Sequence, residues 1–261
     1  MRWPGSSGEG ACLFEREHHR NVALVLQSLE PEALARCHCW FGGGTAMALR
    51  YGEYRESIDV DFLVSDLAGY RELRQALTAA GDLGPLLRPG MALPLQRALR
   101  ADQYGIRTLV SCGAANIKFE IVLEGRIAFE VPDDEDRICG VRTLTAIDMA
   151  AEKLLANADR WADDMVYSRD LIDLAMQRPS RELLRSACVK AEAAYGAGVR
   201  RSVIEAVAHL RSRRHRLETC MQALSMTRQT PAQLWQAIRR VERLLMGDSG
   251  PGTASPVGHH R

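Results

Sequence analysis

Asp59 and Asp61 follow the run Gly42-Gly43-Gly44-Thr45 at short range, and the two features together could do metal-assisted phosphate chemistry. Along a strand, alternate residues share a face, so both carboxylates would stand side by side with Cα atoms roughly 6–7 Å apart. Such a pair offers hard oxygen donors suited to Mg²⁺ or Mn²⁺. A glycine turn that opens a helix presents backbone N–H groups to phosphate oxygens. Alone, the Asp-x-Asp pair reads as a solvated strand edge and the glycines as a tight turn. Their joint occurrence points to nucleotide chemistry.

Transfer of a nucleotide needs a hydroxyl brought in line with an α-phosphate, and clustered carboxylates can hold two metal ions about 3.5–4 Å apart for that purpose. Asp59 and Asp61 supply two carboxylates, and Glu120 is the candidate for a third. In Asn116-Ile117-Lys118-Phe119-Glu120-Ile121-Val122, Lys118 and Glu120 share one face while Ile117, Phe119 and Ile121 share the other. The competing reading is a solvent-facing, salt-bridged strand. Ser57 falls on the same face as the two aspartates, where its hydroxyl could bond a phosphate oxygen or orient Asp59. Arg50 and Arg55 flank the turn and could neutralise phosphate bidentately, or fork onto Glu53 or Glu56 instead.

A second constellation lies about a hundred residues on. Thr145 and Asp148 resemble a capping box, and Lys153 follows among small and apolar neighbours, on a helix face that should be buried. A buried lysine needs an anionic partner. A triphosphate would serve, and so would Asp170 in Arg169-Asp170-Leu171-Ile172-Asp173, with Asp173 read as structural. Only Lys118, Lys153 and Lys190 are lysines in this arginine-rich chain. A retained lysine suggests a need for a compact, point-like charge.

Gly43-Gly44-Thr45, Leu49-Arg50-x-Gly52 and Arg55-x-Ser57-x-Asp59-x-Asp61-Phe62 resemble the polymerase-β-like nucleotidyltransferase superfamily, and within it the AbiEii/AbiGii toxin type of bacterial abortive-infection and toxin–antitoxin systems. The Asp-x-x-Ala-x-Lys helix around Lys153, followed by Arg-Asp-x-x-Asp, is similar to the same type. The resemblance implies an α/β (α+β) core with a small mixed sheet, followed by an all-helical C-terminal half. It implies a Mg²⁺- or Mn²⁺-dependent enzyme that moves a nucleoside monophosphate from a nucleoside triphosphate to an acceptor. Asp59, Asp61 and Glu120 would hold metal, and Glu120 or Asp170 would assist the nucleophile. Gly43, Gly44, Thr45, Ser57, Arg50, Arg55 and Lys153 would bind the nucleotide, with Lys153 and Asp170 carried over as active-site residues. A glutamate at 120 departs from the aspartate of polymerase β. Family members modify tRNA 3′ ends and pair with a cognate antitoxin, so tRNA and an antitoxin protein are the implied partners. An antibiotic or protein hydroxyl as acceptor, or a degenerate non-catalytic nucleotide-binding module, are the alternatives.

Several elements must position these residues. Apolar spacing predicts helices over residues 13–29, 45–51 and 70–80, and strands over 37–41 and 57–64. A hairpin of residues 106–112 and 116–123 is expected, then a short strand at 127–131. Residues 84–94 read as a loop, and everything from Thr145 onward as helical, with breaks at 160–163, Pro179, 196–198 and Thr230-Pro231. The expected division is a catalytic domain over 11–144, a helical domain over 145–246, and disordered tails at 1–10 and 247–261.

At 261 residues and 46% hydrophobic content the chain can bury real cores. No apolar run approaches the roughly 18–20 residues that span a bilayer, and the acidic N-terminal region does not read as a signal peptide. A cytoplasmic location is the expectation. Seven scattered cysteines argue against a disulfide framework, and Cys37-His38-Cys39 finds no second pair for zinc. The net charge of +1 hides an asymmetry: residues 178–246 hold 14 Lys/Arg against 5 Asp/Glu. The cluster Arg211-Ser212-Arg213-Arg214-His215-Arg216 is a candidate for nucleic-acid backbone binding, or simply a solvated helix face.

Overall fold

The computed structural model describes residues 14–247; the expected tails at 1–10 and 247–261 lie outside them, except Gly247, which ends the last helix. Helices α1 (Glu17–Ser28) and α2 (Pro31–Arg36) precede strand β1 (Cys39–Gly42), helix α3 (Gly43–Arg50), strand β2 (Val60–Val64) and helix α4 (Leu67–Ala80). Strands β3 (Leu95–Ala101), β4 (Gly105–Cys112) and β5 (Ala115–Leu123) complete a mixed sheet of order β1-β2-β5-β4-β3. The two-residue strands β6 (Arg137–Ile138) and β7 (Val141–Arg142) form a separate ribbon. Six helices follow: α5 (Ala146–Arg160), α6 (Arg169–Met176), α7 (Arg181–Tyr195), α8 (Gly198–Ser212), α9 (Arg216–Ala223) and α10 (Pro231–Gly247). The mixed sheet followed by a helical half agrees with the expected fold class.

The parallel pairing of β2 with β5 is the step that matters for chemistry. It sets Asp61 opposite Glu120, and antiparallel β4 sets Arg107 opposite Glu120 from the other side. The opposite face of the same strands is apolar: Phe41, Phe62 and Phe119 lie in a row with ring centroids 5.6 Å apart in each adjacent pair. Those rings are fully buried and anchor one core around the sheet. A second core, built by α5 to α10, takes in Ala48 of α3 and Tyr54 as well, so the two halves share elements rather than meet at a linker.

The structure departs from the expected elements at several places. Strand β2 starts at Val60, leaving Ser57 and Asp59 in the approach, because β1 ends at Gly42, which already pairs with Asp61. Residues 127–131 form no strand: Ser65 Oγ accepts from Phe129 N at 2.9 Å and Asp148 Oδ2 from Glu130 N at 2.8 Å, replacing a strand neighbour. β3 was hidden in sequence because it is a mostly exposed edge strand with two register shifts and no alternating apolar face. Helix α2, introduced by Pro31 at its first turn, was not expected either. Among the described residues, no helix is long and apolar enough to cross a membrane.

Helix α6 is tied to the sheet half by buried charge. Asp173, fully buried, accepts from Arg55 Nε at 2.6 Å and Nη2 at 2.9 Å, from the Tyr54 hydroxyl at 2.6 Å, and meets Lys153 Nζ at 2.7 Å. Burial alone would raise this carboxyl, but Arg55 and Lys153 hold it well below the usual range. Asp173→Ala would leave two buried cations without their shared counter-ion. We predict a loss of about 3–5 kcal/mol, measured by urea unfolding; a change under about 1 kcal/mol would show that the network does not hold the halves together.

Candidate active site

Strand β1 delivers the chain to a reversal at Gly43, the first residue of α3, with φ of +68°. A Cβ there would sit 2.7 Å from Asp61 Oδ2, so the turn lies directly against the carboxylate. At Gly44 an added Cβ would collide with the Arg55 guanidinium, which Asp173 clamps from behind. Both glycines are therefore set by close approach.

These residues line a cavity of about 320 Å³. One side carries Gly43, Gly44 and Met47 of α3 with Arg55, Ser57, Asp59 and Asp61. The β5 residues Lys118 and Glu120 extend that carboxylate floor. The facing wall is one stripe of α5, Met149, Glu152, Lys153, Ala156 and Arg160, at intervals of three and four residues. Arg169, the first residue of α6, closes the ring.

Asp61 is half-buried beside Asp59 and Glu120, and its carboxyl is pushed up to about 6, first by desolvation and then by those two negative charges, against the pull of Lys118 and Lys153. A surplus of negative charge in a partly dry site favours a bound cation. Two carboxylates are hard donors, so the chemistry fits Mg²⁺ or Mn²⁺. The expected set of three ligands is not assembled, however. Glu120 is drawn into ion pairs with Lys118 at 2.5 Å and Arg107 at 3.1 Å. Among the described residues no group of three or more His, Cys, Asp or Glu side chains is placed to hold a metal ion. Asp59 and Asp61 are the pair that could hold a cation, with Glu120 beside them.

Other residues singled out in sequence divide into two groups. Ser57 reaches the cavity and is propped from behind: its hydroxyl accepts from Thr45 Oγ1 at 2.8 Å, and its N–H donates to His19 Nε2 at 3.4 Å. His19 in turn bonds Glu53 at 2.8 Å, and burial keeps its imidazole on the neutral side. Thr45 itself is fully buried and touches the site only through Ser57. Arg50 lies at the far end of α3, roughly 10 Å along the axis from Gly43, where it pairs with Asp136 at 2.5 Å and Thr143 at 3.0 Å. Asp170 does not face the cavity. It accepts from Arg160 at 2.7 and 2.9 Å and from Lys153 at 3.3 Å. Burial alone would raise its carboxyl, but Lys153 and Arg160 hold it below the usual range, which suits a counter-ion better than a base. Lys153 lines the cavity and is already paired with both aspartates.

Sequence reasoning did not assign Glu152, Arg160 or Arg169 to the site. The signal was present in the α5 spacing, because residues at i, i+3, i+4, i+7 and i+11 from Met149 share one face. The basic cluster after α8 is largely consumed internally: Arg211 pairs with Glu242 at 2.7 Å, while Arg213 and Arg216 both meet Asp164.

The family model described as "Nucleotidyl transferase AbiEii toxin, Type IV TA system" matches residues 24–243. The solved structure of a candidate nucleotidyltransferase from H. pylori aligns at 14% identity, covering 92% of this chain and 100% of its own, with a TM-score of 0.49. No curated protein matches significantly.

Glu152 provides a test of the cavity's electrostatics. Its carboxyl is pushed up to about 8 by burial and then by the Glu124 carboxylate, and Oε1 has no hydrogen-bond partner. The fold favours the protonated form, so this contribution is complete below pH 4.5 and is lost as pH rises towards 8. Glu152→Gln cannot lose a proton. It should raise the melting temperature at pH 8 by several degrees and leave it nearly unchanged at pH 4.5. Equal effects at both pH values would contradict the assignment.

Proposed function

The chain belongs to the AbiEii nucleotidyl transferase toxin family of type IV toxin–antitoxin systems, and from that premise we propose that its cavity transfers a nucleoside monophosphate from a nucleoside triphosphate to the 3′ end of a tRNA in the cytoplasm. Membership makes it a nucleotidyltransferase with a nucleotide substrate and an antitoxin partner. The observation that carries the finer reading is the cavity itself, with a floor of Asp59, Asp61 and Glu120 facing a wall of Lys153, Arg160 and Arg169. A triphosphate with a divalent cation is complementary to such a divided surface.

In this reading Asp59 and Asp61 would hold Mg²⁺, which when bound supplies charge neutralisation at the reacting phosphate. The Gly43–Gly44 turn lets phosphate oxygens approach the backbone, and Ser57 offers a hydroxyl beside them. Lys153 contributes positive charge from the opposite wall, fixed in place by Asp170 and Asp173. The acceptor hydroxyl enters between floor and wall, and its proton passes to a cavity carboxylate, for which Glu120 is the candidate. Asp170 acts behind the site, as a positioning residue for Lys153 and Arg160. Support for a polyanionic acceptor comes from the C-terminal half, where Arg201, Arg214, Arg239 and Arg240 are exposed and lack ion pairs among the described residues.

Purified protein incubated with each α-labelled nucleoside triphosphate, Mg²⁺, total tRNA and cell protein tests the reading. Label should enter tRNA at its 3′ end, and Asp59→Ala should lower incorporation at least about 10²-fold. Label in protein but not in RNA would contradict the tRNA acceptor. Undiminished incorporation by Asp59→Ala would contradict the site.

A further inference from the structure

Four of the cations that line the cavity are already neutralised. Arg55 is clamped by Asp173, Lys153 sits between Asp170 and Asp173, Arg160 is bidentate on Asp170, and Lys118 is paired with Glu120. Arg169 differs. It is half-buried on the cavity wall, and its guanidinium has no hydrogen bond or ion pair among the described residues. An uncompensated guanidinium facing a partly dry cavity is free to meet an incoming anion, whereas a paired one must first give up a carboxylate.

The backbone holds Arg169 there against local preference. The two residues before it, Tyr167 and Ser168, have φ of 52° and 51°, left-handed conformations that cost free energy for non-glycine residues. Surrounding contacts enforce this corner. Asp164, in the 3₁₀ turn Asp164–Val166, bonds Arg213 at 2.5 Å and His209 at 3.0 Å, and its carbonyl accepts from Arg216 at 2.5 Å. The Arg216 guanidinium also covers the Tyr167 ring at 5.7 Å. Part of the basic cluster therefore fastens the turn that aims Arg169.

Resting on the nucleotidyl-transfer reading, the geometry points to Arg169 as a catalytic residue that binds the pyrophosphate portion of the nucleoside triphosphate and stabilises it as the leaving group. In that step the acceptor oxygen forms a bond to the α-phosphorus, and the bond from that phosphorus to the α–β bridging oxygen breaks. Its electron pair departs with pyrophosphate, and the hydroxyl proton goes to a cavity carboxylate. Negative charge accumulates on the departing group, where a bidentate cation is worth more than in the ground state.

The full chain, with Mg²⁺, tests this through two ligands. Inorganic pyrophosphate and AMP are titrated by calorimetry into wild type, Arg169→Ala, Arg169→Gln and Arg169→Lys, with Arg71→Ala, at an exposed position of α4 away from the cavity, as control. Arg169→Ala and Arg169→Gln should weaken pyrophosphate binding at least about 10-fold and leave AMP unchanged, and Arg169→Lys should be intermediate. Turnover, followed as pyrophosphate released from γ-labelled nucleoside triphosphates with total tRNA and cell protein, should fall roughly 10²-fold in Arg169→Ala. Added guanidinium ion should recover part of that loss. Wild-type affinity and turnover in Arg169→Ala, or equal weakening of both ligands, would overturn the assignment. A wild-type protein that releases no pyrophosphate would instead overturn the transfer reading on which it rests.

Discussion

Two aspartates one helical turn apart, Asp170 and Asp173, hold the site together. They collect cations from different parts of the chain: Arg55 from the approach to β2, and Lys153 and Arg160 from α5. Both aspartates lie away from water, where a missing partner leaves an uncompensated charge that costs far more than an exposed pair returns. The geometry of α5 against the sheet is consequently fixed by charge as well as by apolar packing. Moving α6 would remove the cationic wall from in front of Asp59 and Asp61.

That arrangement explains why the cavity is electrostatically divided. Floor carboxylates repel one another and raise Asp61, while wall cations are mostly neutralised by aspartates behind them. Neither side is balanced by the other within the protein. A metal-bound triphosphate supplies positive charge to the floor and an anionic partner to Arg169, the wall cation with none among the described residues. The glycine turn adds close backbone approach where a side chain would strike Asp61.

Much of this was legible in the sequence because it depends on short-range periodicity. Asp59 and Asp61, two residues apart, both reach the cavity although Asp59 precedes β2, Lys118 and Glu120 share a face of β5, and register sets Asp61 beside Glu120. Lys153 was recognisable as a buried lysine that needs an anion. What stayed hidden was the identity of partners across long separations. Asp170 was expected to take part in the chemistry but is spent on Arg160 and Lys153, and Arg50 was expected at the phosphate but sits at the wrong end of its helix. Composition could not show that Arg211, Arg213 and Arg216 face acidic partners, since Asp164 and Glu242 lie far from them in sequence. β3 escaped notice because an exposed edge strand carries no apolar alternation.

The central claim, that this divided cavity performs nucleotidyl transfer, is tested most directly by the position of the label that is transferred. Protein supplied with total RNA, cell protein and nucleoside triphosphates labelled at either the α- or the γ-phosphate should attach α-label covalently to an acceptor and release γ-label as pyrophosphate. Covalent transfer of the γ-label without the α-label would contradict the account, because the site would then be moving a phosphoryl group rather than a nucleotide.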